Sequence, residues 1–193
     1  FMTNADQLSE LVRTGTLDFA LLKPIDTQFL VSLTRLEWSS LGNFLLGLGL
    51  LAFSLWKLDY CPPLMAWALY PVYIACGVGI YYSLMIALAS TSVWLGRNLT
   101  LLDFWFYVTT FSRYPMEIYT GPLGAPLRWI FTFMIPVLVV VNVPARLLIA
   151  PLRPEMNDGW MLPLFAIGAT LASLAASRWV FQRALKSYRS ASS

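Results

Sequence analysis

The sequence predicts an all-α, polytopic transmembrane helix bundle, with four spans in its 193 residues, cytoplasmic connector helices and an interfacial helix. Three observations lead there. Of the residues, 58% are apolar and only 12% charged, at a mean hydropathy of +0.65, against roughly a quarter charged in ordinary globular chains. The charges leave four long uncharged stretches. Of the eight tryptophans, all but Trp105 fall near the ends of those stretches, where an amphipathic ring settles at the headgroup level. A water-soluble fold is close to excluded, and the 15% aromatic content argues against disorder.

Residues 1–37 read as a cytoplasmic connector. A short amphipathic helix over 5–13 puts Leu8, Leu11 and Val12 on one face and Asp6, Glu10 and Arg13 elsewhere. Gly15 interrupts it, a second apolar turn runs from Thr16 to Lys23, and Pro24 stops that turn. Translation does not normally begin on phenylalanine, so Phe1 raises the expectation that the natural beginning lies upstream, with a start at Met2 as the alternative.

The spans follow from the charge-free gaps, because a charge at mid-bilayer costs a few kcal/mol. They cover about 38–57, 64–95, 127–147 and 160–180, each near or above the length needed to cross about 30 Å of hydrocarbon. Trp38 and Trp56 bracket the first about 27 Å apart, and Trp160 and Trp179 the last about 28 Å apart. The second is long enough that it must tilt, project beyond the core, or bend near Pro71 and the Gly77/Gly79 pair. Leu99 to Tyr114 reads as an interfacial helix, with a re-entrant or spanning segment as the alternative. Pro122, Gly124 and Pro126 are expected to form a loop before the third span. Pro136 and Pro144 interrupt that span as candidate hinges, a static kink being the equal alternative. In the last span, Gly168, Ala172 and Ala176, and Ala169, Ser173 and Ser177, recur every four residues as a small-residue packing face, within the chain or between copies. Residues 181–193 are a tail.

Lysine and arginine set the orientation. With a cytoplasmic N-terminus, ten lie inside (Arg13, Lys23, Arg35, Arg97, Arg113, Arg128, Arg178, Arg183, Lys186 and Arg189) against Lys57, Arg146 and Arg153 outside. Both termini are then cytoplasmic. The net charge of +3 is explained by this topology and implies no nucleic-acid partner.

Composition also bounds the chemistry. The chain has no histidine, which removes the usual imidazole base, the serine–histidine pair and most zinc sites. Cys61 and Cys76 are separated by about 20 Å if the interval is helical, too far for a disulfide. No phosphate-binding loop of the Gly-x-x-x-x-Gly-Lys-Ser/Thr type occurs. The span interiors carry no charge, only polar groups such as Asn43 and Asn142. No catalytic, cofactor or metal site is therefore expected, and any transport would draw its energy from elsewhere.

The stretch Glu10-Leu-Val-Arg-Thr-Gly-Thr-Leu-Asp-Phe-Ala-Leu-Leu-Lys-Pro24 resembles the cytoplasmic connector of type-2 ABC exporter permeases. Arg113-Tyr-Pro-Met-Glu-Ile-Tyr119, the Ile135-Pro136 and Val143-Pro144-Ala145 steps, and Tyr188-Arg-Ser-Ala-Ser-Ser193 are similar to the branch labelled ABC-2 family transporter protein. The likeness spans nearly the whole chain; its motifs are short, and their order carries it. It implies a multi-pass protein of the bacterial inner membrane, whose family has six spans, so that two more would precede residue 1. It also implies a second permease subunit, identical or similar, and an ATP-binding cassette subunit that drives outward opening through the connector. Glu10, Arg13, Thr14, Gly15, Thr16 and Asp18 are the candidate contacts with that ATPase, an amphipathic helix resting on headgroups being the alternative. A path without fixed charge suits amphipathic drugs, lipids or peptides better than small ions. The competing reading is a non-transporting scaffold or assembly protein; a membrane enzyme is disfavoured by the missing histidine.

Overall fold

In hydrocarbon, backbone N–H and C=O groups have to be satisfied within the chain, which leaves helices as the form for apolar stretches this long. The computed structural model describes residues 8, 10–12, 14–33, 38, 40–95, 99–152 and 160–188, and every regular element among them is helical. In chain order these are α1 (Leu17–Leu21), α2 (Thr27–Ser32), α3 (Ser40–Lys57), α4 (Leu64–Ser90), α5 (Ser92–Leu95), α6 (Leu99–Ser112), a 3₁₀ turn (Met116–Ile118), α7 (Gly121–Trp129), a π turn (Ile130–Met134), α8 (Val137–Ile149) and α9 (Met161–Ser187). Leu8, Glu10, Leu11, Val12 and Thr14 are also helical, ahead of α1.

Three helical stretches are long and apolar enough to cross a membrane: α3, α4 with α5, and α9. The α7–π segment and α8 make a fourth if the bent pair counts as one span. The bend is 89°, and its cause is Pro136. A proline has no N–H to donate and pushes the residue before it out of the helical region. Ile135 accordingly sits at φ −120°, ψ 87°. Its N–H reaches back five residues to the Ile130 carbonyl at 2.9 Å, which widens the preceding turn into a π turn. Pro144 lies inside α8, and the helix continues through it. Of the two expected hinge positions, only Pro136 breaks the chain's direction.

α4 and α9 lie side by side and run in the same direction, since Tyr73 and Ala166 share one apolar cluster while Met85, Ile86 and Phe181 share another. Glycine sets their approach. A Cβ on Gly79 would stand 2.9 Å from Thr170 Cγ2, and one on Gly77 would stand 2.7 Å from Val140 Cγ1 on α8. α4 continues through Pro71 and both glycines without a break, so the glycines serve packing rather than the bend that the sequence allowed for. On α9 the small-residue repeat divides. Ser177 is buried and Ala169 and Ser173 half-buried, whereas Gly168, Ala172 and Ala176 lie on the exposed face. α3 buries none of its residues against the rest of the bundle.

Two expectations are corrected by packing. The Pro122–Pro126 stretch is helical rather than a loop: Pro122 falls at the helix start, where a missing N–H costs nothing, and Gly124 lies where a Cβ would come within 2.8 Å of the Tyr119 backbone. The 99–114 segment is helical, yet it is built into the bundle. Trp105 meets the Tyr81 ring edge-on at 5.4 Å, Ser112 Oγ bonds Tyr81 Oη, and Met116 just beyond is only 1% exposed. This favours the re-entrant or spanning alternative over an interfacial helix. The tryptophan pattern agrees, because Trp105 is half-buried while the other seven are exposed.

Candidate functional site

The connector is held to the bundle by its apolar face. Leu8, Leu17, Ala20 and Val31 are buried against Met85, Ile86 and Ala89 of α4 and Phe181 of α9. Each fully buried leucine contributes roughly 1.5–3 kcal/mol relative to exposure to water. Gly15 adopts φ +70°, a conformation that L side chains rarely take, and turns the chain between the first helical stretch and α1. Thr14 Oγ1 donates to the Glu10 carbonyl at 2.8 Å and lies 2.7 Å from the Thr16 hydroxyl. Five of the expected contact residues thus gather round one turn, with Glu10, Thr14 and Thr16 exposed and Gly15 and Asp18 half-buried. Arg13, the sixth, lies outside the described residues. Beside the turn, Phe19 and Leu22 stand 69% and 81% exposed, an apolar pair that the charged pattern did not point to.

Behind the turn is a polar clamp that sequence reasoning missed. Asp26 caps α2, accepting the Phe29 N–H at 3.1 Å, and its carboxylate receives both terminal nitrogens of Arg178 from α9. Arg178 Nη1 also donates to Gln28 Oε1 at 3.1 Å, and Gln28 Nε2 donates to Tyr82 Oη of α4 at 3.1 Å. Ser32 Oγ lies 2.8 Å from the same Tyr82 oxygen. The Arg178 hydrogen bonds hold the Asp26 carboxyl at about 2, below its ordinary 3.8. One short helix is thereby tied to both α4 and α9. The Asp26–Arg178 pair spans 152 positions, so no local motif announces it.

A second feature lies at the opposite end of the bundle, where α9 begins. A cavity of about 640 Å³ opens between the α7–π segment and α9, walled by Trp129, Phe133, Met161, Leu162 and Phe165. Phe133 meets Phe165 edge-on with ring centroids 5.1 Å apart. Thr132 lines the cavity and is 4% exposed, and its hydroxyl has no hydrogen-bond partner among the described residues. Elsewhere in these helices, Ser83, Ser90, Thr109 and Thr170 each donate to the carbonyl four residues back. The widened π turn accounts for the exception. An unpaired buried hydroxyl costs about 1–3 kcal/mol.

Arg128 shares the cavity wall, half-buried and without an ion pair among the described residues. The nearby acid is already engaged: Glu117 pairs with Arg146 of α8. Burial pushes the Glu117 carboxyl up, but hydrogen bonds from its own backbone N–H and from Arg146, with the charges of Arg146 and Arg128, bring it below the usual range. Since Arg128 faces Met161 and Leu162, it lies at the Arg146 end of the bundle rather than with the residues counted as inside. Moving it leaves nine against four, and the bias keeps its sign.

Asn142, singled out as a polar group within a span, is structural. Buried at 6% exposure, it accepts the Met116 N–H at 2.9 Å and donates to the Leu138 carbonyl at 2.8 Å. Asn43 lies exposed on α3. Among the described residues no cluster of three or more acidic or cysteine side chains could hold a metal ion, and Cys61 and Cys76 are separate thiols.

The model of a family described as "ABC-2 family transporter protein" covers residues 1–192. Neither the curated proteins nor the solved structures contain a match to the chain.

Proposed function

Because the chain belongs to the ABC-2 transporter family, with a membrane-transport permease role, we propose that it is the subunit of an ATP-driven exporter that forms the path and takes its energy from a separate ATP-binding cassette protein. A second permease subunit, identical or similar, would complete the path, in a bacterial inner membrane with both termini cytoplasmic. The first, second and last spans would be those expected from the sequence, whereas the expected third, whose Arg128 and Arg146 lie at one end, would turn back at Pro136 instead of crossing.

The observation that carries this reading is the two-sided connector. Its inner side is buried on α4 and α9 and clamped by Asp26, Gln28 and Arg178. Its outer side offers Glu10, Thr14, Thr16, Phe19 and Leu22. A polar turn flanked by two exposed apolar side chains suits a protein groove, since surface adsorption on lipid favours several lysines and arginines. Force applied there has a bonded route into two spanning helices. Pro136 is the proposed hinge; Pro144, inside an unbroken helix, is the weaker candidate.

The test is co-purification from membranes with a protein that hydrolyses ATP, followed by alanine substitution of Glu10, Arg13 and Asp18 and, separately, of Phe19 and Leu22. The reading expects ATPase recovery to drop about tenfold for either set, as loss of interface anchors does. Undiminished recovery with both sets would remove the connector assignment and leave a scaffold role as the better account.

A further inference from the structure

We propose that the cavity between the α7–π segment and the start of α9 is a binding site for an anionic amphiphile, with its acidic head on Arg128 and Thr132 and its alkyl chain against the aromatic wall. Three independent features converge on this chemistry. The volume of about 640 Å³ falls within the range of ligand pockets, about 300–1,000 Å³. Its walls are chiefly apolar and aromatic, with Trp129, Phe133, Met161 and Phe165 among them, so the bulk of an occupant must be apolar. The polar side chains are few: beside Thr120 and Tyr119, whose hydroxyl donates to the Phe111 carbonyl, they are Arg128 and Thr132. Arg128 brings a guanidinium with no ion pair among the described residues, and Thr132 a buried hydroxyl with no partner there.

Among the described residues the charge balance disfavours a cationic head. Glu117, the described acid near Arg128, is committed to Arg146, so the surplus charge that these residues place on this wall is positive. An acidic head would accept from the guanidinium and, once a rotation of the buried Thr132 side chain uncovers it, from the Thr132 hydroxyl, and charge-assisted bonds of this kind are roughly twice as strong as neutral ones. A single water would satisfy the hydroxyl but would leave the aromatic wall and the guanidinium unmatched. The position suits such a ligand too, because Trp129 and Trp160 lie exposed at this end, where indole rings mark the headgroup level. The head could belong to a bilayer lipid or to a free amphiphile; the chemistry is shared.

The experiment uses the purified full chain in phosphatidylcholine nanodiscs, with a diazirine-tagged palmitic acid and its alcohol counterpart as probes. The acid is expected to label the peptides holding Trp129–Phe133 and Met161–Phe165. Labelling should fall about tenfold with the alcohol and with Arg128→Gln, as loss of a charge-assisted bond does. It should fall about threefold with Thr132→Val, while Arg128→Lys retains most of it. Competition by added phosphatidylglycerol would assign the site to bilayer lipid, and its absence to a free amphiphile; both uphold the proposal. Equal labelling by acid and alcohol in the wild-type chain, labelling unmoved by Arg128→Gln, or adducts confined to other helices would overturn it. No ATPase subunit is present in this assay, so its failure would leave the connector reading untouched.

Discussion

Replacing Gly77 by alanine tests whether the contact between α4 and α8 holds the bundle together. The added methyl would stand 2.7 Å from Val140 Cγ1, 3.3 Å from the Val140 carbonyl oxygen and 3.5 Å from its Cα. Ordinary contact begins at 3.4 Å, so about 0.7 Å must open at the first of these. Valine in a helix is confined largely to one rotamer, and turning it would leave the carbonyl contact in place. The helices must therefore separate, which loosens Leu138, Val139 and Val143 in the cluster around Tyr73. Overpacking of this kind costs about 1–3 kcal/mol, against about 1 kcal/mol gained when alanine replaces glycine in a helix. Gly168→Ala is the matched control, since a Cβ there meets nothing within 4 Å. It receives the same intrinsic gain without the clash. At about 2–4 °C per kcal/mol for a chain of this size, the Gly77 variant should unfold in detergent a few to about ten degrees below the control. Adding Val140→Ala should recover part of the loss. Equal midpoints for the two variants, or no recovery in the double variant, would refute the packing argument.

Asn142→Leu strands the Met116 N–H inside the bundle and should cost about 1–3 kcal/mol, read as a lowered thermal midpoint with helical content unchanged. Asp26→Asn keeps the α2 cap acceptor but removes the charge facing Arg178. The pair is 42–44% exposed, so solvent screening limits the loss to about 1 kcal/mol or less, and the sharper readout is faster proteolysis at the connector. The same pair sets a pH dependence. The folded Asp26 carboxyl titrates at about 2 instead of 3.8, so its contribution is present above pH 3.8 and is lost as the pH falls toward 2; wild type and Asp26→Asn should therefore converge in connector protection over that interval. Pro136→Ala restores an N–H at the break and should reduce the 89° bend, which paired spin labels on α7 and α8 would report as a longer separation.

What the sequence made legible is what depends on solvent preference and local spacing. The helices α3, α4 and α9 follow from charge-free length, and Trp105 was the one tryptophan without a place at a span end because its ring is committed to Tyr81. The connector turn was readable because glycine and proline act within a few residues. What stayed hidden depends on partners distant in sequence. By sequence Arg178 counts only toward the cytoplasmic excess of lysine and arginine, and nothing near it marks Asp26 as its partner. Pro122 looks like a loop residue by type, whereas its place in the first turn makes it tolerable in a helix, and the helix continues through Pro126. The cavity depends on the register of the π turn, which a list of residue types does not contain.

These separate features share one mechanical element. α9 carries the clamp at Arg178 and the cavity wall at Met161, Leu162 and Phe165, so one helix of 27 residues, about 40 Å long, joins the connector end to the cavity end. It is also the helix most extensively packed on α4, with Ala166 beside Tyr73, Thr170 against Gly79, and Phe181 beside Met85 and Ile86, so the two helices form one packed pair. A helix packed along its length against a partner carries displacement at one end to the other. The bend at Pro136 leaves the α7–π segment outside this rigid pair, so movement of α9 would change the cavity's width without unpacking α4 from α8. Under that arrangement, substitutions at Gly79 should weaken any coupling between connector and cavity while leaving both ends locally intact.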